Sequence, residues 1–208
     1  MLYSQSDTHP RRRFGLRRMT YPDKGSKKPR NFLYFILIFL ITFVLEKLNL
    51  RMEYKIGTDA RCAVIGYGSW ATAIVGLLAA NGRRVGWYVR NPEVLESLCS
   101  DGRNPRYLND LEFDRNSIAP SSDLDAVVRD ADIVILATPS AYLKDFLAPL
   151  TVPLRDKFVV SAIKGIVPGD YQTVVEYIHD HYGLSYRQIG LVTGPSHAEE
   201  VSRGKLSY

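Results

Sequence analysis

The chain has 208 residues, 46% of them hydrophobic, which is enough apolar material for at least one sizeable folded core. Its basic isoelectric point of about 9.2 arises near the amino terminus, because residues 1–51 hold 11 of the 27 lysines and arginines but 3 of the 22 acids. Residues 52–208 carry a small acidic excess, which excludes a strongly basic domain of the nucleic-acid-binding kind.

Residues 1–51 are a basic leader that we expect to lie outside the folded domain. Residues 1–30 are polar, basic and proline-containing, a composition typical of disorder. The uncharged run over residues 32–45 would span about 21 Å as a helix, less than the roughly 30 Å core of a bilayer. Three interpretations stay open, namely translation beginning at Met52, a membrane anchor, or an export signal. Membrane contact is expected only if residues 32–45 are an anchor.

Residues 61–90 are predicted to form strand, turn, helix and second strand in unbroken order. An apolar strand over residues 63–65 leads through the turn into a helix over residues 69–81, and residues 85–89 form the second strand. This order is typical of a dinucleotide-binding unit. In such a unit a diphosphate lies against the first turn of the helix, where free amides and the positive end of the helix dipole favour an anion.

The turn at residues 66–71 matches the pattern G-x-G-x-x-A. Gly66 permits the sharp reversal, and Gly68 removes a side chain that would hold a diphosphate away from the main chain. Ala71 is small enough to let the helix approach the sheet. A bare match of this kind is weak, so the prediction depends on the elements that flank it.

Apolar runs alternate with helical patterns along the rest of the chain, which predicts an α/β fold with a doubly wound parallel sheet of the Rossmann type. The predicted elements are a helix over 91–99, an irregular stretch over 101–122, a helix over 123–129, a strand over 133–137, a helix over 141–147, a strand over 158–163, a helix over 171–182 and a strand over 189–193.

Ligands of such sheets bind at the carboxyl ends of the strands, where this chain places Arg90, Lys164 and the turn at residues 194–196. A lysine there can stabilise negative charge that develops on a ketone oxygen and can supply a proton. Arg90 stands where NAD-specific proteins usually carry an acid, and a cation accommodates a 2′-phosphate. We therefore expect NADPH to bind at least as well as NADH.

The histidines and cysteines do not indicate a metal site. His179 and His181 lie near a helix end without partners at metal-ligand spacing, and we expect both at the surface. Cys62 and Cys99 are expected to be reduced thiols of a cytosolic protein.

Five segments in order, GYGSWATA, NPRYLND, ATPS, SAIKGI and GPSHAEEV, resemble the amino-terminal domain of bacterial NAD(P)-dependent glycerol-3-phosphate dehydrogenases. The resemblance covers residues 60–204 and implies a Rossmann domain, placed at residues 58–208. It also implies reversible reduction of dihydroxyacetone phosphate to sn-glycerol 3-phosphate with NAD(P)H, a cytoplasmic step that supplies phospholipid synthesis. A homodimer is a possible assembly of the full-length form, and no nucleic acid is expected as a partner.

The same resemblance assigns site residues. It implies cofactor contacts and contacts near the substrate phosphate, with Lys164 acting in both. Lys164 is also the candidate catalytic residue, on the chemical grounds given above. Together with Gly66 and Gly68 of the glycine turn, the predicted cofactor residues are Ser69, Trp70, Arg90, Lys164 and Ala198, and the implied substrate residues are Lys164, Gly194 and Ser196.

Two departures from the family pattern qualify this interpretation. Asn109 stands where the family usually has proline, which alters the stiffness of that loop. The family's second, helical domain and its further lysine do not occur within residues 1–208, so we expect this chain to carry the cofactor-binding half and to be inactive alone. The alternatives are a non-catalytic NAD(P)-binding module, or another two-domain reductase of the 6-phosphogluconate or ketopantoate type.

Overall fold

A computed structural model describes residues 56–194 and 197–204. Within these residues the strands are β1 (Cys62–Ile65), β2 (Val85–Tyr88), β3 (Ile118–Ser121), β4 (Ile133–Leu136), β5 (Phe158–Ser161), β6 (Ile166–Val167), β7 (Gln172–Thr173) and β8 (Ile189–Leu191). Six of them form a sheet in the order β3-β2-β1-β4-β5-β8, and every neighbouring pair is parallel. A separate antiparallel hairpin joins β6 to β7.

Helices cover both faces of the sheet, which confirms the predicted doubly wound α/β fold. The first two helices pack on one face and the next three on the other. The helices are α1 (Ser69–Ala79), α2 (Pro92–Ser100), α3 (Leu124–Arg129), α4 (Leu143–Leu147), α5 (Val174–Tyr182) and α6 (Ala198–Ser202), with short 3₁₀ turns at Ser140–Tyr142 and Tyr186–Gln188.

Successive side chains of strand β1 enter the cores on opposite faces of the sheet, which explains why its sequence is apolar at every position. Ala63 and Ile65 belong to the core beneath α3, α4 and α5, whereas Val64 belongs to the core beneath α1 and α2. All three side chains are fully buried, because a central parallel strand is covered on both faces. Strands β1 and β4 are neighbours whose following helices lie on opposite faces. Their carboxyl ends therefore border a topological switch point, where open α/β sheets bind ligands.

The prediction of an irregular stretch over residues 101–122 is wrong at its end, where β3 forms. Pro120 lies inside this strand, opposite Trp87 of β2. A proline is tolerated there because β3 is an edge strand, so one side of its backbone has no neighbour to bond.

The predicted helix over residues 171–182 begins three residues later than expected. Thr173 caps α5, and its side chain and that of Glu176 form a reciprocal capping box. The preceding residues form the β6-β7 hairpin instead. The predicted helix over residues 141–147 likewise has a 3₁₀ first turn before α4.

No helix within residues 56–194 and 197–204 combines the length and the apolar character needed to cross a membrane. The expectations for the leader, residues 1–51, lie outside the described residues.

Candidate functional site

Gly66 makes the close turn at the carboxyl end of β1. Its φ of +124° suits glycine, and an added Cβ would lie 2.4 Å from the carbonyl oxygen of Ala137. The Gly66 N–H donates to the carbonyl oxygen of Tyr88 at 3.3 Å, and the indole Nε1 of Trp87 donates to the Gly66 carbonyl at 2.7 Å. Close contact with β2 and with the end of β4 thus explains why residue 66 is glycine.

Gly68 differs, because the described part of the protein places no steric demand on it. Its φ of −71° and ψ of −179° suit any residue, and no atom lies within 4 Å of an added Cβ. The Gly68 carbonyl accepts from the amide and the hydroxyl of Thr72, both at 2.9 Å. The preceding amides, on Ser69, Trp70 and Ala71, have no acceptor among the described residues. Open main chain beside three free amides can hold an anionic group.

Residues later in the turn join α1 to the rest of the fold. Ala71 is fully buried, as the predicted close approach of helix and sheet requires. Trp70 is half-buried and packs against the core and against a small apolar cluster of Ala73, Ala198 and Val201. The cluster joins α6 to α1, so the structure brings Ala198 to the helix that begins at the glycine turn.

Asn104 braces the glycine turn, a role that the sequence reasoning missed. Its side-chain Nδ2 donates to the carbonyl oxygen of Tyr67 at 2.9 Å and to Oγ1 of Thr72 at 2.8 Å. Its Oδ1 accepts from the amides of Arg106 and Tyr107 at 3.1 and 3.3 Å, and the side chain is fully buried. The segment NPRYLND contains this residue, but nothing in its pattern indicates the distant partners.

Arg90 lies beyond β2, next to the glycine turn. It is exposed, and its Cζ lies over the ring of Phe146, 4.4 Å from the ring centroid. Burial raises the pKa of the nearby Tyr88 hydroxyl, and the positive charge of Arg90 partly offsets that increase. The predicted basic residue therefore stands at the same edge of the sheet as Gly68.

Lys164 lies three residues beyond β5 and is exposed. Its side chain forms no hydrogen bond or ion pair with the described residues. The next residue, Gly165, has a φ of +99°, and an added Cβ would lie 3.4 Å from Oγ of Ser140. The Lys164 turn thus packs against the turn that follows β4. Since β4 separates β5 from β1, Lys164 follows a strand about 10 Å from the one that carries the glycine turn.

Two further features lie at this edge. Thr138, two residues beyond β4, is 6% exposed, and its hydroxyl has no hydrogen-bond partner among the described residues. Gly194 follows β8 with a φ of +122°. Ser196, the other predicted substrate contact, lies outside the described residues.

The described residues include no group of three or more histidine, cysteine or acidic side chains arranged to bind a metal ion. The His179 ring stacks on the ring of Tyr186, with the two ring centroids 4.0 Å apart, and its Nδ1 lies 2.6 Å from the carbonyl oxygen of Leu184. Cys62 and Cys99 are free thiols, and burial raises the pKa of Cys62.

Comparisons with known proteins agree with this geometry. The curated glycerol-3-phosphate dehydrogenase (NAD(P)+) of Ectopseudomonas mendocina is 38% identical over 145 residues, which cover 70% of this chain and 42% of the relative. The glycerol-3-phosphate dehydrogenase (NAD(P)+) 2 of Salinibacter ruber is 39% identical over 146 residues, which cover 68% of this chain and 42% of the relative. The chain thus spans about two fifths of the length of these relatives.

Solved structures show the same fold. A glycerol-3-phosphate dehydrogenase of Plasmodium falciparum superposes with a TM-score of 0.62 at 25% identity, covering 72% of this chain and 44% of the other. The glycerol-3-phosphate dehydrogenase of Coxiella burnetii superposes with a TM-score of 0.61 at 24% identity, covering 70% of this chain and 44% of the other. The family described as NAD-dependent glycerol-3-phosphate dehydrogenase N-terminus matches residues 61–208. The chain belongs to this family.

Proposed function

We propose that this chain binds NAD(P)H at its glycine turn and is the cofactor-binding part of an oxidoreductase that interconverts dihydroxyacetone phosphate and sn-glycerol 3-phosphate. The observation that carries the proposal is the open main chain at Gly68, beside the free amides of residues 69–71. A diphosphate would meet no side chain there and would accept hydrogen bonds from those amides. The family match and the names of the relatives support the substrate assignment.

The residues at the carboxyl edge of the sheet have different proposed roles. Gly66, Gly68, Ser69 and Trp70 would hold the diphosphate, and Arg90 would lie beside the adenosine ribose. The bound cofactor supplies a hydride to the ketone carbon. Lys164 carries an exposed ammonium group with no partner among the described residues. It can therefore stabilise the developing negative charge on the ketone oxygen and donate a proton to that oxygen.

We assign the substrate phosphate to Lys164, Gly194 and Ser196, and a further cofactor contact to Ala198. We assign residues 58–208 to the cofactor-binding domain and residues 1–51 to a leader outside it. The product would feed glycerophospholipid synthesis in the cytoplasm. These assignments rest on the family match and on the motifs that carry it.

Titration of the purified chain with NADPH and NADH tests the proposal. We expect saturable binding of both cofactors, followed by fluorescence or calorimetry. Gly68→Val should abolish binding of both, because its side chain would occupy the approach of the diphosphate, yet the variant should still unfold cooperatively, since no atom lies within 4 Å of an added Cβ. Gly76→Ala, on the same helix but away from the turn, should bind normally. Normal cofactor binding by Gly68→Val would contradict the proposed site.

A second titration, with candidate substrates, tests the proposed substrate class. With NADPH bound, dihydroxyacetone phosphate or glycerol 3-phosphate should change the cofactor fluorescence in a saturable way, and pyruvate, a ketone without phosphate, should not. Equal responses to all three compounds would contradict the assignment of a phosphorylated three-carbon substrate.

A further inference from the structure

The ring of Phe146 joins three aromatic or cationic side chains at the carboxyl edge of the sheet. Phe146 lies in α4 and is 5% exposed. Its ring centroid is 6.0 Å from that of Tyr67 in the glycine turn, and 6.0 Å from that of Tyr88 at the end of β2, where the rings meet edge to face. Arg90 lies over the same ring at 4.4 Å. A side chain from the helix after β4 thus ties the glycine turn to the cation beyond β2.

The contact with Phe146 leaves the hydrogen-bond donors of Arg90 unused. A guanidinium group is planar, and its five N–H donors point outward in that plane. The ring lies 4.4 Å from Cζ and attracts the cation without accepting from any of these donors. Arg90 forms no ion pair with the described residues, so its charge is not neutralised by a carboxylate there. The result is an exposed cation that the ring restrains beside the glycine turn.

We infer that Phe146 is a positioning residue for cofactor choice, which holds Arg90 so that the edge of its guanidinium group receives the 2′-phosphate of NADPH. The inference rests on the proposed function, since it requires the cofactor to lie at the glycine turn. A phosphate accepts two parallel N–H bonds from such an edge. NADH lacks this phosphate, so loss of the contact between Arg90 and the Phe146 ring should weaken NADPH binding more than NADH binding.

A double-mutant cycle between Phe146 and Arg90 tests the inference. Dissociation constants for NADPH and NADH are measured with the wild-type chain, Phe146→Leu, Arg90→Met and the double variant. We expect Phe146→Leu to weaken NADPH binding about fivefold and NADH binding less than about twofold. In the Arg90→Met background, Phe146→Leu should leave the ratio of the two constants unchanged, because no cation remains to be positioned.

Phe113 supplies the matched control. It is also 5% exposed and meets Trp87 edge to face at 5.3 Å, in the core beneath α1 and α2. Phe113→Leu should lower the thermal midpoint without changing the NADPH to NADH ratio. If Phe146→Leu gives no cooperative unfolding transition, Phe146→Met replaces it, because the unbranched methionine side chain has a similar volume but adapts better to an irregular space.

The outcomes separate the inference from the proposed function. An unchanged cofactor ratio in a folded Phe146 variant overturns the role of Phe146, and so does an equal shift of that ratio in the Arg90→Met background. Failure of the wild-type chain to bind either cofactor overturns the proposed function itself, and the inference with it.

Discussion

Asn104 donates a hydrogen bond to the carbonyl oxygen of Tyr67, 37 residues earlier in the chain, at 2.9 Å. The bond joins the loop after α2 to the second residue of the glycine turn. Because the same amide group also donates to Thr72 in α1, one fully buried side chain holds both ends of that turn. The conformation of the turn thus depends on a contact that is distant in sequence.

Asn104→Ala should destabilise the fold by about 2–4 kcal/mol, because it leaves several buried polar groups without partners. It should also weaken NADPH binding, since the turn loses its support at residues 67 and 72. Urea denaturation gives the free energy of unfolding, and a cofactor titration gives the affinity.

Asn109→Ala is the control for Asn104, because it removes an exposed side chain from the same loop. We expect that variant to change the free energy of unfolding by less than about 0.5 kcal/mol. Equal stability of the two variants would contradict the bracing role of Asn104.

The contrast between Gly66 and Asn104 shows what the sequence can predict. The demand for glycine at residue 66 is local, because the sharp turn follows an apolar strand directly, and the pattern predicts it. The partners of Asn104 depend on how the loop after α2 folds back on α1, which no periodicity encodes. The sequence does not predict strand β3 for a similar reason: its proline argues against a strand unless the strand is known to lie at an edge.

Gly66→Ala should destabilise the protein strongly, by about 3 kcal/mol or more, because a positive φ is combined with a clash against a main-chain oxygen. Gly82→Ala separates the two causes. Its φ is +75°, but nothing lies within 4 Å of an added Cβ, so we expect a loss of about 1 kcal/mol. The urea midpoint of each variant, compared with that of the wild type, measures its loss of stability. Similar losses in the two variants would remove the contact with Ala137 as the reason for glycine at residue 66.

Lys164→Met should weaken NADPH binding by about tenfold while leaving the urea midpoint unchanged, because the side chain is exposed and has no partner among the described residues. Lys157→Met should show the opposite pattern. The ammonium group of Lys157 donates to the carbonyl oxygens of Arg129 and Ala131 at 3.0 and 2.7 Å, so its loss should lower stability and spare affinity. An unchanged NADPH affinity in Lys164→Met would contradict the cofactor role of Lys164.

Stability should fall in acid partly through Asp125, at the start of α3. Its carboxylate accepts hydrogen bonds from the hydroxyl of Thr151 and from the amides of Thr151 and Val152, and these bonds lower its pKa. A lowered pKa in the folded state means that the ionised carboxylate stabilises the fold above the unfolded pKa of about 3.9. That contribution is lost as the pH falls through the lower, folded-state pKa.

Asp125→Asn should therefore be less stable than the wild type at pH 7, and the difference should shrink toward zero as the pH falls below the folded-state pKa of Asp125. The neutral amide already lacks the charge that wild-type Asp125 then loses by protonation. Urea midpoints at several values from pH 7 to pH 2 measure the difference. Asp110→Asn, at an exposed acid that forms no hydrogen bond with the described residues, should match the wild type at pH 7. A gap between Asp125→Asn and the wild type that stays constant from pH 7 to pH 2 would mean that the geometry of the side chain, rather than its charge, ties α3 to residues 151 and 152.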